Sequence, residues 1–272
     1  MAAVAAAFVT LGLALPLAID APVLGLYRQA LVHAVGEPDP RTWRLLLGIT
    51  GASIAGKWVA HLALVPYLAR GERWAWRASV IGLASWFAVD SLVSLAHGAW
   101  WNVAFVNLVP PATFGACLAL ARHRRWSDER APELVRGSAA WWALLAAAIG
   151  TTSGAVIALG GSSVLFDPWR EALAAAHGAS NDAFVASFFG PIGGSTLAQF
   201  AMLGMLARHA VARGDRRALD WILASILAWL VPDSLWSLAS AGAFNVWLVN
   251  LPFAALCVPP VLAARWRGPR AP

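Results

Sequence analysis

Long apolar stretches recur along the whole chain, and they constrain its fold more than any other feature. A helix that crosses a bilayer needs about 20 mostly apolar residues. Eight segments meet this requirement: 3–20, 43–68, 78–97, 100–121, 139–161, 183–207, 219–240 and 243–264. Hydrophobic residues make up 60% of the chain and charged residues 12%, which excludes a disordered chain, a coiled coil and a nucleic-acid-binding domain and argues strongly against a soluble globular protein. The sequence therefore predicts an all-α integral membrane protein with about eight transmembrane helices.

The arginines are distributed unevenly between the loops that join these segments. With both termini on one side of the membrane, that side carries most of them: Arg70, Arg73, Arg77, Arg122, Arg124, Arg125, Arg130, Arg136, Arg208, Arg213, Arg216, Arg217, Arg265, Arg267 and Arg270. The opposite side carries Arg28, Arg41, Arg44 and Arg170. Cytoplasmic loops are enriched in Lys and Arg, so we predict a multi-pass protein of the plasma or inner membrane with cytoplasmic N- and C-termini. Because these loops also explain the net charge of +6, nucleic acid is not a predicted partner.

The second half of the chain repeats the first. Residues 90–108 (DSLVSLAHGAWWNVAFVNL) and 233–251 (DSLWSLASAGAFNVWLVNL) are identical at 11 of 19 positions, at an offset of 143. The same offset pairs Trp86 with Trp229. Because a unit of four spans returns the chain to the side where it began, the two copies have the same orientation in the membrane. We predict a first four-helix repeat over 1–122, a cytoplasmic linker over 123–138 and a second four-helix repeat over 139–272.

Each repeat has a shorter segment between its first two spans, on the outer face. In the second repeat, Asp167 and Pro168 are typical of the start of a helix, and Gly178 is typical of its end. We expect short amphipathic helices at the outer interface. They would seal the bundle, and a gating role is the alternative.

Three ionisable residues, Lys57, Asp90 and Asp233, fall in the middle of predicted spans. Charged groups are costly inside a bilayer and are candidate functional residues there. Lys57 and Asp90 are expected to meet as an ion pair, with His61 one turn away on the same helix face. The position of Lys57 in the second repeat is occupied by Phe200. Asp233 is therefore predicted to lack a lysine and to be neutral, hydrated or bound to a ligand.

Two tight helical hairpins are predicted around Gly98 and Gly242. At ~1.5 Å per residue, Asp90 and Asn107 lie at one depth on the two arms of the first hairpin. Asp233 and Asn250 do the same in the second. One interpretation is that Asp–Asn hydrogen bonds simply hold each hairpin together, with Ser94, Ser237, Asn102 and Asn245 assisting. The other is that these groups form a functional site.

The sixth predicted span contains the run Gly190-Pro191-Ile192-Gly193-Gly194-Ser195-Thr196. Proline removes a helical hydrogen bond, so a kink or short break that exposes backbone groups to a ligand is one expectation. Close packing of small residues between helices, including Gly150 and Gly154, is the other.

These features favour a transporter or channel for a small solute, with a mid-membrane carboxylate site and proton coupling as one form of the mechanism. The candidate substrate-binding residues are Asp233, Asn250, Asp90, Asn107, Lys57, Ser195, Thr196, Gln199 and His61. The first alternative is an intramembrane enzyme that acts on a lipid or isoprenoid with an aspartate as general acid or base. The second is a structural subunit of a membrane complex. No cofactor and no metal site are predicted; the expected partners are the bilayer, a small-molecule or lipid ligand, and another membrane protein or a second copy.

Overall fold

The computed structural model describes residues 1–18, 21–37, 39–122, 126–127, 131–161, 163–178 and 182–267, and these are overwhelmingly helical, with no β-strand among them. The predicted linker over 123–138 falls partly outside the described residues. The helices are α1 (Ala2–Ala14), α2 (Pro22–Val35), α3 (Pro40–Ala69), α4 (Arg73–Ala96), α5 (Asn102–Ala121), α6 (Ala139–Gly160), α7 (Asp167–His177), α8 (Asp182–His209), α9 (Arg216–Ala239) and α10 (Ala243–Trp266).

Six of these helices, α3, α4, α5, α6, α9 and α10, are long and apolar enough to cross a membrane. Each coincides with a predicted span, which supports an integral membrane protein. Two predicted spans differ. α1 has only 13 residues, fewer than the ~20 that a crossing needs. α8 has 28 residues but is not one of the six, and glycines, Pro191 and Gln199 interrupt its apolar sequence.

The helices of the two halves are interleaved. α3 packs along α9, while α8 packs along both α4 and α6. α1 lies on α3, and α10 lies on α6. α3 and α8 also contact each other, and α3 is the most buried of the six candidate spans. The centre of the bundle is thus built from one helix of each half, and each packs on a helix of the other half.

α6 and α8 approach each other closely through glycines. A methyl group at Gly193 would lie 2.4 Å from the backbone nitrogen of Ala158 and 2.6 Å from the carbonyl oxygen of Gly154. The close-packing interpretation of this run is therefore confirmed. α8 is continuous from Asp182 to His209, so the helix is not broken at Pro191.

The two segments that were expected to form short helices between the first two predicted spans of each half are the helices α2 and α7. α7 buries Trp169, Leu173 and His177 along one face. The two ring nitrogens of His177 bridge α3 and the end of α9, at 2.9 Å from Thr42 Oγ1 and 2.8 Å from the carbonyl oxygen of Ser240. α7 is therefore fixed across the end of the bundle where the α9–α10 hairpin turns.

Both predicted hairpins are present, and each turns through one residue with a positive φ. In the α4–α5 hairpin this residue is Gly98, with a φ of 70°. In the α9–α10 hairpin it is Ala241, with a φ of 56°, and not Gly242. Left-handed backbone is strained for a residue with a Cβ, so the second hairpin carries a conformational cost that the first avoids.

A charged cluster joins the loops at the opposite end of the bundle. Glu72, before α4, accepts hydrogen bonds from Arg70 at 2.8 Å, Trp74 at 2.5 Å and Arg213 at 2.9 Å. Burial by itself would raise the pKa of Glu72. The three hydrogen bonds and the charge of Arg70 outweigh burial and hold that pKa below its ordinary value.

Candidate functional site

Asp233 is the centre of a buried hydrogen-bond network between α9 and α10. Its Oδ1 accepts hydrogen bonds from Ser237 at 3.1 Å, Asn245 at 2.8 Å and Asn250 at 2.9 Å. The carboxylate is only 1% exposed. The predicted Asp233–Asn250 contact across the hairpin is thus confirmed. Neither carboxylate oxygen has a cationic side chain within 4 Å in the described part of the chain.

Asp90 forms the corresponding network between α4 and α5. Its Oδ1 accepts hydrogen bonds from Ser94 and Asn102, both at 3.1 Å. Asn107, which lies at the same depth, donates to Ser91 at 3.2 Å and its Oδ1 accepts from Asn102 at 3.4 Å. Both asparagines lie in a widened π-helical turn at Asn102–Asn107, and a similar turn spans Val246–Asn250.

Lys57 does not form the expected ion pair with Asp90. Among the described residues no carboxylate lies within 4 Å of its ammonium group, which is instead centred 3.4 Å from the ring of Trp86. Trp58 is a second aromatic neighbour at 5.0 Å. Because α3 packs mainly on α9 and α4 mainly on α8, equal depth does not bring Lys57 and Asp90 into direct contact. The first half therefore places the amino group of its lysine on an aromatic ring and not on a carboxylate.

The second half has a cavity of about 40 Å³ against Asp233. Five aromatic rings line it: Phe166, Trp169, Phe188, Phe189 and Trp229. Thr196 and Asn245 are its other polar residues, and the rest of the lining is aliphatic. Among the described residues that line this mainly apolar cavity, Asp233 is therefore the one ionisable group.

The remaining predicted site residues are buried but are not gathered in one place. Thr196 lines the cavity at Asp233, whereas Ser195 does not. Gln199 donates from Nε2 to Ser225, to its carbonyl oxygen at 3.0 Å and its hydroxyl at 3.1 Å. The His61 ring lies between Trp58 and Phe114, with centroids 4.7 Å from each, tilted against the first and edge-on to the second. Its ring nitrogens have no hydrogen-bond partner in the described residues.

The aromatic lining of the cavity is not evident from the sequence. Phe188 and Phe189 are indistinguishable in sequence from ordinary core residues of a span. The indole nitrogen of Trp169 donates to Asn245 Oδ1 at 3.0 Å, and its ring lines the cavity. The similarity of WREAL at 169–173 to YRQAL at 27–31 was the available signal, because it marks Trp169 as part of the repeat that also carries Asp233.

No group of three or more metal-ligating side chains occurs among the residues that the structure covers. The site is thus one carboxylate, an amide network and aromatic rings. No protein-family model, curated protein or solved structure matches the chain.

Proposed function

We propose that the protein is a membrane transporter or channel for a small, positively charged solute, which binds in the cavity at Asp233. The observation that carries the proposal is a buried carboxylate on the wall of a cavity lined by aromatic and aliphatic side chains. Among the described residues, no cationic side chain lies within 4 Å of it. An uncompensated charge is very costly in such surroundings. A bound cation would remove that cost.

The aromatic lining favours a cation that carries nitrogen over a metal ion. Trp and Phe rings attract ammonium groups through their negative faces. The lining offers one carboxylate, one hydroxyl and one amide side chain, which is fewer oxygens than calcium or magnesium takes. Since no second titratable side chain among the described residues lines the cavity, binding is favoured over the general acid–base chemistry of a lipid enzyme.

The first half supports this assignment with a built-in analogue. Lys57 places an ammonium group on Trp86, the residue that corresponds to Trp229. The cavity of about 40 Å³ has room for a few water molecules, since one water needs roughly 10–15 Å³. This size fits an ammonium or methylammonium ion. A carboxylate takes up either a proton or a cation, so proton-coupled movement of the solute is consistent with the same site.

The membrane architecture belongs to the same proposal. α1 and α8 complete eight crossings, the two halves are parallel four-helix repeats, and both termini are cytoplasmic. Corresponding residues support the repeat, because Ser94 and Asn102 bind Asp90 as Ser237 and Asn245 bind Asp233. In this arrangement α7 lies over the outer end of the cavity.

Uptake of radiolabelled methylammonium into proteoliposomes tests the function. The variant is Asp233→Asn, which keeps the size of the side chain and removes its charge. The matched control is Asp220→Asn, the same change on an exposed residue of the same helix, where the carboxylate pairs with Arg265 at 3.1 Å. Removing one partner of a buried charge pair costs ~2–5 kcal/mol, so binding should weaken by at least ~30-fold in Asp233→Asn.

The control should transport methylammonium as the wild type does. Urea and acetate, a neutral and an anionic solute of similar size, should not be taken up by any of the three proteins. Equal uptake by Asp233→Asn and Asp220→Asn, or preference of the wild type for urea or acetate, would refute the proposed cation site. Absence of wild-type uptake above empty liposomes would refute transport of this solute.

A further inference from the structure

An arginine-lined pocket lies at the end of α4 and α5, on the side of the bundle that carries most arginines. Arg73, Arg77 and Arg122 line it together with Trp76 and Trp126, and its volume is about 260 Å³. The two tryptophans lie 6.4 Å apart between ring centroids. Trp76 also donates to the carbonyl oxygen of Leu118 at 2.9 Å, which ties the two helices together below the pocket.

An apolar groove continues from this pocket along the same two helices. Its volume is about 420 Å³, and it runs from Trp76 and Arg122, which it shares with the pocket, to Phe87 on α4 and Pro111 on α5. Ala84 and Ala119 are exposed within it, so the groove opens on the outside of the bundle. From position 76 to position 87 the rise of a helix is roughly 16 Å. A charged end and a long apolar trough match the two parts of a phospholipid.

The positions in the second half that correspond to Arg77 and Arg122 form an ion pair, which the first half lacks. Counted 143 residues on, Arg122 corresponds to Arg265 and Arg77 to Asp220. Arg265 and Asp220 form an ion pair at 3.1 Å. In the first half both positions are arginines, and neither has a carboxylate within 4 Å in the described part of the chain. Two arginines on one pocket repel each other unless an anion lies between them.

We propose that this pocket and groove bind an anionic phospholipid, with its phosphate between Arg77 and Arg122 and an acyl chain in the groove between α4 and α5. Basic pockets between helices on the cytoplasmic side of a membrane are a recognised form of headgroup site. Arginine also offers paired donors that match phosphate oxygens. The site is separate from the cavity at Asp233 and does not depend on the function of that cavity.

Native mass spectrometry of the delipidated full-length protein tests the site. The probes are dioleoyl phosphatidylglycerol, dioleoyl phosphatidylcholine and inorganic phosphate at equal concentrations. Phosphatidylglycerol should bind, phosphatidylcholine should bind at least tenfold more weakly, and phosphate alone should not bind measurably. Equal binding of the two lipids would refute recognition of charge. Phosphate binding that matches phosphatidylglycerol would show an anion site that does not need the groove, and would overturn the lipid proposal.

The variant Arg77→Asp installs the pair that the second half already has. It removes the Arg77 side chain from the headgroup, and the new carboxylate pairs with Arg122. Phosphatidylglycerol should therefore bind about 30-fold more weakly. Arg217→Asp makes the same charge change on an exposed residue at the same end of the molecule and should bind like the wild type. Arg122→Gln, a milder change, should weaken binding about fivefold. If Arg77→Asp fails to fold, the comparison of Arg122→Gln with Arg217→Asp tests the site. The site would be refuted if the variants that fold bind phosphatidylglycerol as tightly as Arg217→Asp does.

Discussion

Substitution of Gly193 by alanine tests the packing of α6 on α8 directly. The added methyl group would lie 2.4 Å from Ala158 N and 2.6 Å from Gly154 O. Both neighbours are backbone atoms of a helix, so neither can rotate away. The two helices would have to separate by about 1 Å to reach ordinary van der Waals contact near ~3.5 Å. Gly204→Ala is the matched control on the same helix, because its methyl group would lie 3.5 Å from Ala147 Cβ, an ordinary contact.

Two opposing contributions determine the expected change in the free energy of unfolding. Alanine is favoured over glycine in a helix by about 0.8–1 kcal/mol, and this gain applies at both positions. Overpacking costs about 1–3 kcal/mol, occasionally more, and applies only at Gly193. Gly204→Ala should therefore be neutral or slightly more stable than the wild type. Gly193→Ala should unfold about 2 kcal/mol more easily than this control, a difference on the order of 5 °C in Tm.

Thermal unfolding of the purified protein in detergent, followed by tryptophan fluorescence, measures the difference. Ile192, the residue directly before Gly193, lines the cavity at Asp233. Methylammonium binding should therefore also weaken in Gly193→Ala but not in Gly204→Ala. A Gly193→Ala protein as stable as Gly204→Ala would contradict the close approach of α6 and α8 and the packing role of these glycines.

Three further substitutions have defined outcomes in the same unfolding assay. Ala241→Gly should raise stability by about 1 kcal/mol, because it relieves a left-handed residue with a φ of 56°; a loss of stability would contradict that backbone conformation. Glu72→Gln should cost about 2 kcal/mol at neutral pH. Since the pKa of Glu72 is lowered by folding, the wild type should lose this advantage as the pH falls below the carboxyl's ordinary pKa of 4.5, and a pH-independent difference would refute the ionic role. Trp86→Leu should destabilise by about 2–4 kcal/mol, because it leaves the Lys57 ammonium without its ring, whereas Lys57→Met should be nearly neutral; the reverse order would refute the cation–π contact.

The two stapled hairpins could be predicted because they depend on distance along the chain alone. Asp233 and Asn250 are equally far from a turn, and the rise of a helix is constant, so their depth follows by counting. Their contact at 2.9 Å confirms it. Counting gives no information about the direction in which a side chain leaves its helix. For that reason depth alone pairs Lys57 with Asp90, whereas the Lys57 amino group lies on Trp86, one turn before Asp90 on α4.

The cavity could not be predicted for a related reason. Its wall combines Ile49 of α3, Ile157 of α6, Phe188 of α8 and Val249 of α10, and each of these residues alone is an ordinary apolar position in a span. Only the way in which α3 and α8 cross between the halves leaves a space there. The sequence carries a clear signal for the carboxylate and almost none for the rings around it.

The interleaving of the helices has a consequence for biogenesis. α3 is completed early, but α9, along which it packs, is synthesised only after α4 to α8. At ~5–20 residues per second, the ribosome needs on the order of ten seconds to produce the intervening chain. During that interval α3 is without its main packing partner while it carries Lys57. The nascent protein is therefore expected to depend on the insertion machinery to shelter α3, and a chain that stops before α9 is expected to be recognised by quality-control proteases.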